Sequence, residues 1–358
     1  MIRRGTEIQL LQDLVAIPSV SGTEAAIAEH VEQKARAWGM DVLRDKHGVR
    51  IELRGWGVGP TLALVSHLDT VPPGSGWTRD PFDPALEGDR LYGRGSGDAK
   101  ASVAAMLCAA KDVVDSGGMD AGRLLLLFGL GEETPDTTMG ALVEASGEIT
   151  AAVVGEPTNL AIAIAQRGLL MVDLVAQGDQ RHAGYAAENG FTNAALVLAR
   201  DLLKLDTLFD ARSHPLLGRA TATPTMLESG VGRNVTPPVA RAVLDVRSTP
   251  DWTHEELAQQ LREELSSDVI VTSRLMVPCE TPAGSRLLQT LTRLRPEAAQ
   301  YGSPTCSDWV FLRECDAVKC GPGTSRRSHT ADEYVDVAEV KAARSLYAEL
   351  VRAYMAGR

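Results

Sequence analysis

The stretch that most restricts the fold is Thr61-Leu-Ala-Leu-Val-Ser-His-Leu-Asp-Thr-Val71. Four apolar residues, Leu62 to Val65, make a short buried strand that runs out at Ser66 and delivers His67 and Asp69 to the end of a sheet. On an extended chain, side chains two apart share a face, so imidazole and carboxylate point the same way. That pairing suits a metal-binding imidazole with a carboxylate beside it to orient groups. A strand-end histidine is also an ordinary surface or packing residue, and the pair alone does not separate the two readings. What gives it weight is recurrence: Asp98, Glu132, Glu133, Glu156 and His329 each follow later turns or apolar runs.

The runs themselves indicate the architecture. Arg123 to Phe128 holds four consecutive leucines, a pattern typical of strands covered on both faces of a mainly parallel sheet. Ala151 to Val154 is a second such strand, and Ala317 to Cys320 a third. Helical spacing predicts Thr6 to Ile17 (stopped by Pro18), Ile27 to Trp38, Ala99 to Asp115, Ala283 to Leu294 and Val337 to Met355. Between Pro72 and Arg94 lies a long Gly/Pro/Asp-rich loop, a length that is usually functional or disordered. From Gly168 to Val277 the order changes to β-α-β-β-α-β with better alternation, the pattern of a ferredoxin-like unit. The fold class is therefore α/β: a discontinuous, mainly parallel-sheet domain over 1–167 and 278–358, with a smaller domain inserted at 168–277.

Composition excludes several functions. The net charge of −11 disfavours nucleic acid or an anionic membrane as partner, and 4% aromatics leaves little for base stacking. No apolar run approaches the roughly 20 residues of a membrane span. Met-Ile-Arg-Arg opens straight onto an amphipathic pattern, without the apolar core of a signal peptide. Five cysteines without a C-x-x-C pair argue against a disulfide framework or thiolate zinc site, and point to the cytoplasm.

Carboxylates gathered with imidazoles at strand ends would repel one another without counter-charge, and divalent cations relieve that. Nitrogen and oxygen donors without thiolate fit Zn²⁺, Co²⁺ or Mn²⁺. Adjacent Glu132 and Glu133 cannot easily face one metal together, so one can ligate while the other accepts protons. A plain solvated Glu-Glu turn is the competing reading.

His67-Leu-Asp-Thr-Val-Pro72, Gly93-Arg-Gly-Ser-Gly-Asp-Ala-Lys100, Gly131-Glu-Glu133, Gly155-Glu-Pro-Thr158 and Gly321-Pro-Gly323 followed by Ser328-His-Thr-Ala-Asp-Glu333 occur in that order. Together they resemble the co-catalytic zinc deacylase and carboxypeptidase family, which includes acetylornithine deacetylase, succinyl-diaminopimelate desuccinylase, aminoacylase-1 and carboxypeptidase G. The resemblance covers essentially the whole chain. It implies that Asp98 bridges two zinc ions, with His67 and Glu156 completing one site and Glu133 and His329 the other. It further implies that Asp69 orients His67 and that Glu132 is the general base. His182, in Gln180-Arg-His-Ala-Gly-Tyr185, matches a lid histidine that reaches a partner subunit's site, so the inserted domain is expected to act as lid and homodimer contact. A surface-loop histidine is the alternative there. Asn234 and Arg247 resemble contacts to the substrate amide and carboxylate, and each could equally be half of a buried structural pair. Gly323 and Thr324 lie where relatives hold the substrate carboxylate.

Ala101 replaces the usual glycine after Asp-x-Lys, and Gly184-Tyr185 departs from the usual lid sequence; both bear on the pocket rather than on the metal ligands. The expected activity is metal-dependent removal of a short acyl group from an N-acyl amino acid. The surroundings of Thr305-Cys-Ser-Asp308 and Gly321-Pro-Gly-Thr324 resemble the acetylornithine deacetylase branch more than the desuccinylase branch, which implies N-acetylornithine, in arginine biosynthesis. A succinyl-amino-acid desuccinylase, a related lysine-pathway deacylase or a small-peptide carboxypeptidase is the runner-up. A non-catalytic binding relative would have lost Glu132 or a ligand, and none is lost.

Overall fold

A computed structural model describes residues 5–186 and 190–356. The opening Met-Ile-Arg-Arg therefore lies outside the described residues. The chain divides into two compact units. Unit one comprises Met1–Ile164, Thr281–Tyr301 and Ser307–Arg358; unit two comprises Ala165–Glu280 and Gly302–Cys306.

The sheet of unit one is built around four parallel strands in the order Ala121–Gly129, Gly57–His67, Ala151–Val154 and Asp316–Lys319. Gly48–Arg54 and Asp41–Asp45 extend one side antiparallel. The central strands are apolar throughout because both faces are covered. Leu62, Leu64, Leu124, Leu126 and Phe128 pack in a core with helices Thr6–Val15, Ala25–Ala37, Lys100–Asp115 and Val337–Met355. The intervening Ala63, Val65, Leu125 and Leu127 are also fully buried, on the opposite pleat. Helix Met139–Ser146 packs on the Ala121–Gly129 strand, and the 3-10 turn Asp308–Leu312 on the two strands beyond Gly57–His67.

The last helix shows why its sequence folds so: Val340, Ala343, Tyr347, Leu350, Val351 and Tyr354 recur at three- and four-residue spacing and are buried. Tyr347 is wholly buried, and its hydroxyl donates to the Cys320 carbonyl at 2.7 Å.

Three expectations are corrected. The first helix ends at Val15, not Ile17. The helix expected from Ala283 starts at Arg286, because Ser285 caps it by accepting the Leu288 N–H at 2.8 Å. The Pro72–Arg94 loop is not irregular throughout: Leu86–Glu87 pairs with Arg90–Tyr92, which pairs with Tyr334–Asp336. That small sheet ties the loop to the segment just after His329.

Unit two has strands Gly168–Gln177, Thr221–Ser229, Val239–Ser248 and Asp268–Met276, with helices Ala194–Lys204 and His254–Glu264 between them in β-α-β-β-α-β order. The strands are antiparallel, with Gly168–Gln177 and Val239–Ser248 central and Thr221–Ser229 at one edge. Leu170, Val172, Leu174, Leu244 and Val246 form one core with Leu198, Leu257 and Leu261. Thr253 and Glu256 close a capping box on the second helix. Among the described residues no helix is long and apolar enough to cross a membrane.

Candidate active site

Parallel register brings the functional residues of unit one to one level. His67 pairs with Gly129 across the strand, and Val65 with Val154. The residues that follow are Glu132 and Glu133 on one side and Glu156 on the other, at the carboxyl ends where α/β sheets place ligands. The turn before Glu132 needs glycine: Gly131 has φ +69°, and a Cβ there would lie 3.1 Å from the Asp136 carbonyl. Asp98 leaves the Gly93–Gly97 turn. His329 sits at φ +65°, a conformation that non-glycine residues adopt at a cost and that tends to mark functional sites.

His67, Asp98 and Glu133 each place a potential ligand atom within 4.8 Å of the others. His67 Nε2 lies 3.4 Å from Asp98 Oδ1. His329 Nε2 lies 3.0 Å from Glu133 Oε1 and 3.7 Å from Asp98 Oδ2, so Asp98 stands between the two imidazoles. Glu156 feels the charges of both Asp98 and His67.

Asp69 is fully buried and organises this set. Its Oδ1 accepts the Glu132 N–H at 3.0 Å, and its Oδ2 accepts the Glu133 N–H at 3.1 Å and the Ser21 hydroxyl at 2.7 Å. The neighbours of His67 Nδ1 are both acceptors, the Asp69 carbonyl at 3.1 Å and carboxylate at 3.3 Å. Nδ1 therefore carries the proton and Nε2 faces the cluster.

The electrostatics follow from burial and from the charges gathered here. Burial disfavours the His67 cation, but the Asp69 and Asp98 carboxylates outweigh it and hold its pKa well above the usual value. Glu133, then Asp98, raises His329 despite burial. Burial and then Glu156 push Glu132 well up. Burial and then Asp98 push Glu156 up to about 7. Asp98 itself is held low: burial opposes its charge, but the neighbouring His67, Ser328 and His329 together outweigh that. Thus Glu132 and Glu156 retain protons because they are buried and lie beside like charges, a condition that cations reverse.

The residues fit such cations. His67 Nε2 is buried and has no hydrogen-bond partner, which is how a ligating nitrogen is left once its other nitrogen is oriented. The donor set is two imidazoles and three carboxylates with no thiolate, suited to zinc-like ions.

Two residues beyond those expected belong here. Asp308 is buried, and its Oδ1 accepts the Thr137 hydroxyl at 2.8 Å while Oδ2 has no partner. Burial raises its carboxyl to about 6, and its charge adds to that felt by Glu132. Glu333 is buried beneath the Asp98 turn. In sequence both look like ordinary polar residues. Only their position after or within a candidate motif hinted at them.

The residues expected to contact substrate have partners of their own within the chain. The Gly323 N–H donates to Glu339 Oε2 at 2.6 Å. Gly323 is required by packing: at φ +83° a Cβ would meet Gly97 Cα at 3.2 Å. Thr324 bridges to Thr158 and accepts the Arg326 N–H. In unit two, the fork of Arg247 is occupied by Asp245 (Nε to Oδ1 2.7 Å, Nη2 to Oδ2 3.0 Å), leaving Nη1 directed at Cys306 Sγ at 3.8 Å. Bidentate binding of a substrate is thus not the geometry seen. His182 is exposed; it bridges to Val235, and the Ala183 N–H donates to the Asn234 carbonyl at 2.8 Å. His182 and Asn234 are therefore neighbours. Arg247 is not near them: Val239 and Arg247 alone are eight residues apart on one strand, about 26 Å.

The chain is similar to known proteins in sequence and in fold. The description "Peptidase family M20/M25/M40" matches residues 63–353. A succinyl-diaminopimelate desuccinylase of Cereibacter sphaeroides is 30% identical over 382 residues, covering 98% of this chain and 99% of the relative. A probable carboxypeptidase of Aspergillus terreus is 30% identical, covering 96% and 85%. Among solved structures, the M20 family metallo-carboxypeptidase Sso-CP2 of Sulfolobus solfataricus superposes with TM-score 0.78 at 19% identity, covering 98% of this chain and 100% of its own. The Bacillus subtilis YXEP protein, described as a dinuclear metal binding peptidase, gives 0.75 at 16%, covering 96% of each chain.

Proposed function

The chain belongs to peptidase family M20/M25/M40, and on that premise we propose that it hydrolyses the amide of N-acylated amino acids at a two-metal centre, with an N-succinyl diamino acid such as succinyl-diaminopimelate as substrate. The observation that carries this reading is the meeting of His67, Asp98, Glu133 and His329 beside Glu132. The relatives' names support a succinyl substrate over N-acetylornithine, so the arginine-pathway reading takes second place. The Aspergillus relative keeps a carboxypeptidase reading open.

Asp98 would bridge two cations, His67 and Glu156 completing one site and Glu133 and His329 the other. Zinc is the first choice, cobalt or manganese the alternatives. When bound, such ions supply Lewis-acid polarisation of the amide carbonyl and acidify water. The chain's own groups do the rest. Glu132, whose backbone is fixed by Asp69, accepts a proton from the attacking water and returns it to the leaving amine. Asp69 keeps the His67 ring in one tautomer.

We further assign unit two to dimerisation. Its edge strand exposes Met226 and Leu227, and its first helix exposes Leu196 and Leu203. The separation of His182 and Asn234 from Arg247 suits service to two different sites, one in each subunit. His182 would then stabilise the developing oxyanion of the partner's substrate.

The test is a turnover panel of N-succinyl-diaminopimelate, N-acetylornithine and a dipeptide, with and without chelator and added Zn²⁺ or Co²⁺. Fastest chelator-sensitive turnover of the succinyl compound is expected. Turnover that survives exhaustive chelation would sink the mechanism, and a preference for acetylornithine the substrate choice.

A further inference from the structure

Glu333 lies four residues after His329, has a carboxylate 1% exposed to solvent, and touches no reacting group. Its Oε1 accepts the Gly97 N–H at 2.9 Å and the Asp98 N–H at 3.1 Å. Its Oε2 accepts the Gly95 N–H at 3.1 Å and Arg94 Nη1 at 2.5 Å. The Glu333 carbonyl accepts the Gly93 N–H at 2.9 Å. Three backbone N–H groups from one tight turn thus converge on one carboxylate, forming an anion nest filled from within the chain.

The turn has little freedom to form otherwise. Gly93 and Gly95 have φ of +142° and +80°, and a Cβ on either would collide with Val15 or Thr70. Arg94 is itself buried; its Nη2 donates to the Pro73 carbonyl at 3.1 Å, and its guanidinium lies 5.3 Å from the Trp77 ring centroid. The other side is fixed too. Asp332 accepts both the N–H and the hydroxyl of Thr78, at 3.0 and 2.8 Å. Residues 329–333 are therefore held at their far end by two adjacent acids, and His329 projects from the near end in its strained conformation.

We propose that Glu333 is a positioning residue of the metal centre, its buried carboxylate joining the turn that presents Asp98 to the segment that presents His329. This rests on the metal-binding reading above. A carboxylate is an unexpected choice for mere packing at this place. Burial disfavours its charge, and the nearby Asp98 charge disfavours it further. Four donors converge on it, so an acceptor on both oxygens is what the position demands. In Glu333→Gln one of the two acceptors becomes an NH₂ group. It then faces either Gly97 and Asp98 or Gly95 and Arg94, donor against donor. The Asp98–His329 spacing loosens without any metal ligand being changed.

The test compares wild type, Glu333→Gln, Glu333→Asp and Leu350→Ala. Leu350 is buried in the last helix and is none of the groups named at the site, so its truncation lowers stability without removing one of them. Co²⁺ affinity is measured by competition with a chromophoric chelator, and the visible absorption of bound Co²⁺ reports coordination geometry. In Glu333→Gln, Co²⁺ binding weakened about 10- to 100-fold with an altered visible spectrum is expected, while Leu350→Ala keeps the wild-type spectrum at a comparable loss of melting temperature. Should Glu333→Gln not fold, Glu333→Asp decides in the same way, because it keeps the charge but shortens the reach. Wild-type affinity and spectrum in a folded Glu333 variant overturn the inference alone, as does an equal effect of Leu350→Ala. Wild-type protein that binds no Co²⁺ overturns the metal reading and this inference with it.

Discussion

Replacing Asp69 by Asn keeps the side chain's shape while removing its charge and one acceptor. Oδ1 serves the Glu132 N–H and His67 Nδ1; Oδ2 serves the Glu133 N–H and Ser21. An amide can satisfy one side only, so whichever way it turns, one buried backbone N–H loses its acceptor, at about 1–3 kcal/mol. The charge contributes separately. Burial opposes ionisation of Asp69, yet the His67 hydrogen bond and charge hold its pKa at about 2 against an ordinary 3.8, a preference equivalent to about 2.5 kcal/mol. The two effects share the same contacts, so about 3–4 kcal/mol in total is expected for Asp69→Asn near neutral pH.

The sign follows from the direction of each shift. A depressed carboxyl pKa gives stability that is complete above the ordinary value of 3.8 and fades as pH falls toward about 2. The His67 side runs the other way: its raised pKa gives stability that is present below 6.5 and fades as pH rises through the folded value. Urea unfolding of chelated protein, followed by circular dichroism, should therefore show a gap between wild type and Asp69→Asn that is widest in mildly acidic solution and narrows at both extremes. A gap under about 1 kcal/mol at pH 6, or one that widens below pH 4, would refute the reasoning.

Three further outcomes are expected. Glu132→Gln should lower kcat by about 10²- to 10⁴-fold with metal content unchanged by elemental analysis; equal loss of metal would mean that Glu132 is a ligand instead. Because His67 and His329 hold protons more tightly than usual, Zn²⁺ uptake at pH 7 should release protons and weaken as pH falls, read by calorimetry in buffers of different ionisation enthalpy; buffer-independent heat would contradict it. Asp308→Asn removes a like charge near Glu132, so the acid limb of kcat/KM should move to lower pH, and an unmoved limb would show that the two carboxylates do not communicate.

Much of this site is legible in sequence for a simple reason. His67, Glu133 and Glu156 each follow a fully apolar run, and such runs have only one place to go in an α/β sheet, its doubly covered middle. The last helix is equally plain from its spacing, and Val337–Met355 forms as the periodicity requires. Other features depend on tertiary partners that spacing does not encode. The Gly323 N–H is claimed by Glu339, sixteen residues later, and nothing in Gly321-Pro-Gly-Thr324 foretells it. Asp308 and Glu333 are acceptors for groups brought in from distant segments. Arg247 is an intermediate case. Asp245 lies two residues before it on a strand, hence on the same face, and that alone could have signalled the fork between them.

The ribbon formed by Arg90–Tyr92 and Tyr334–Asp336 has a consequence for biosynthesis. Arg94 waits 239 positions for Glu333, and Thr78 waits 254 for Asp332. Closing loops of that size is slow and waits until the chain has been translated past Glu333. A nascent polypeptide halted before Ser328 would have its early strands but would lack the segment that carries His329 and Glu333, so the candidate site is completed only after that segment has emerged.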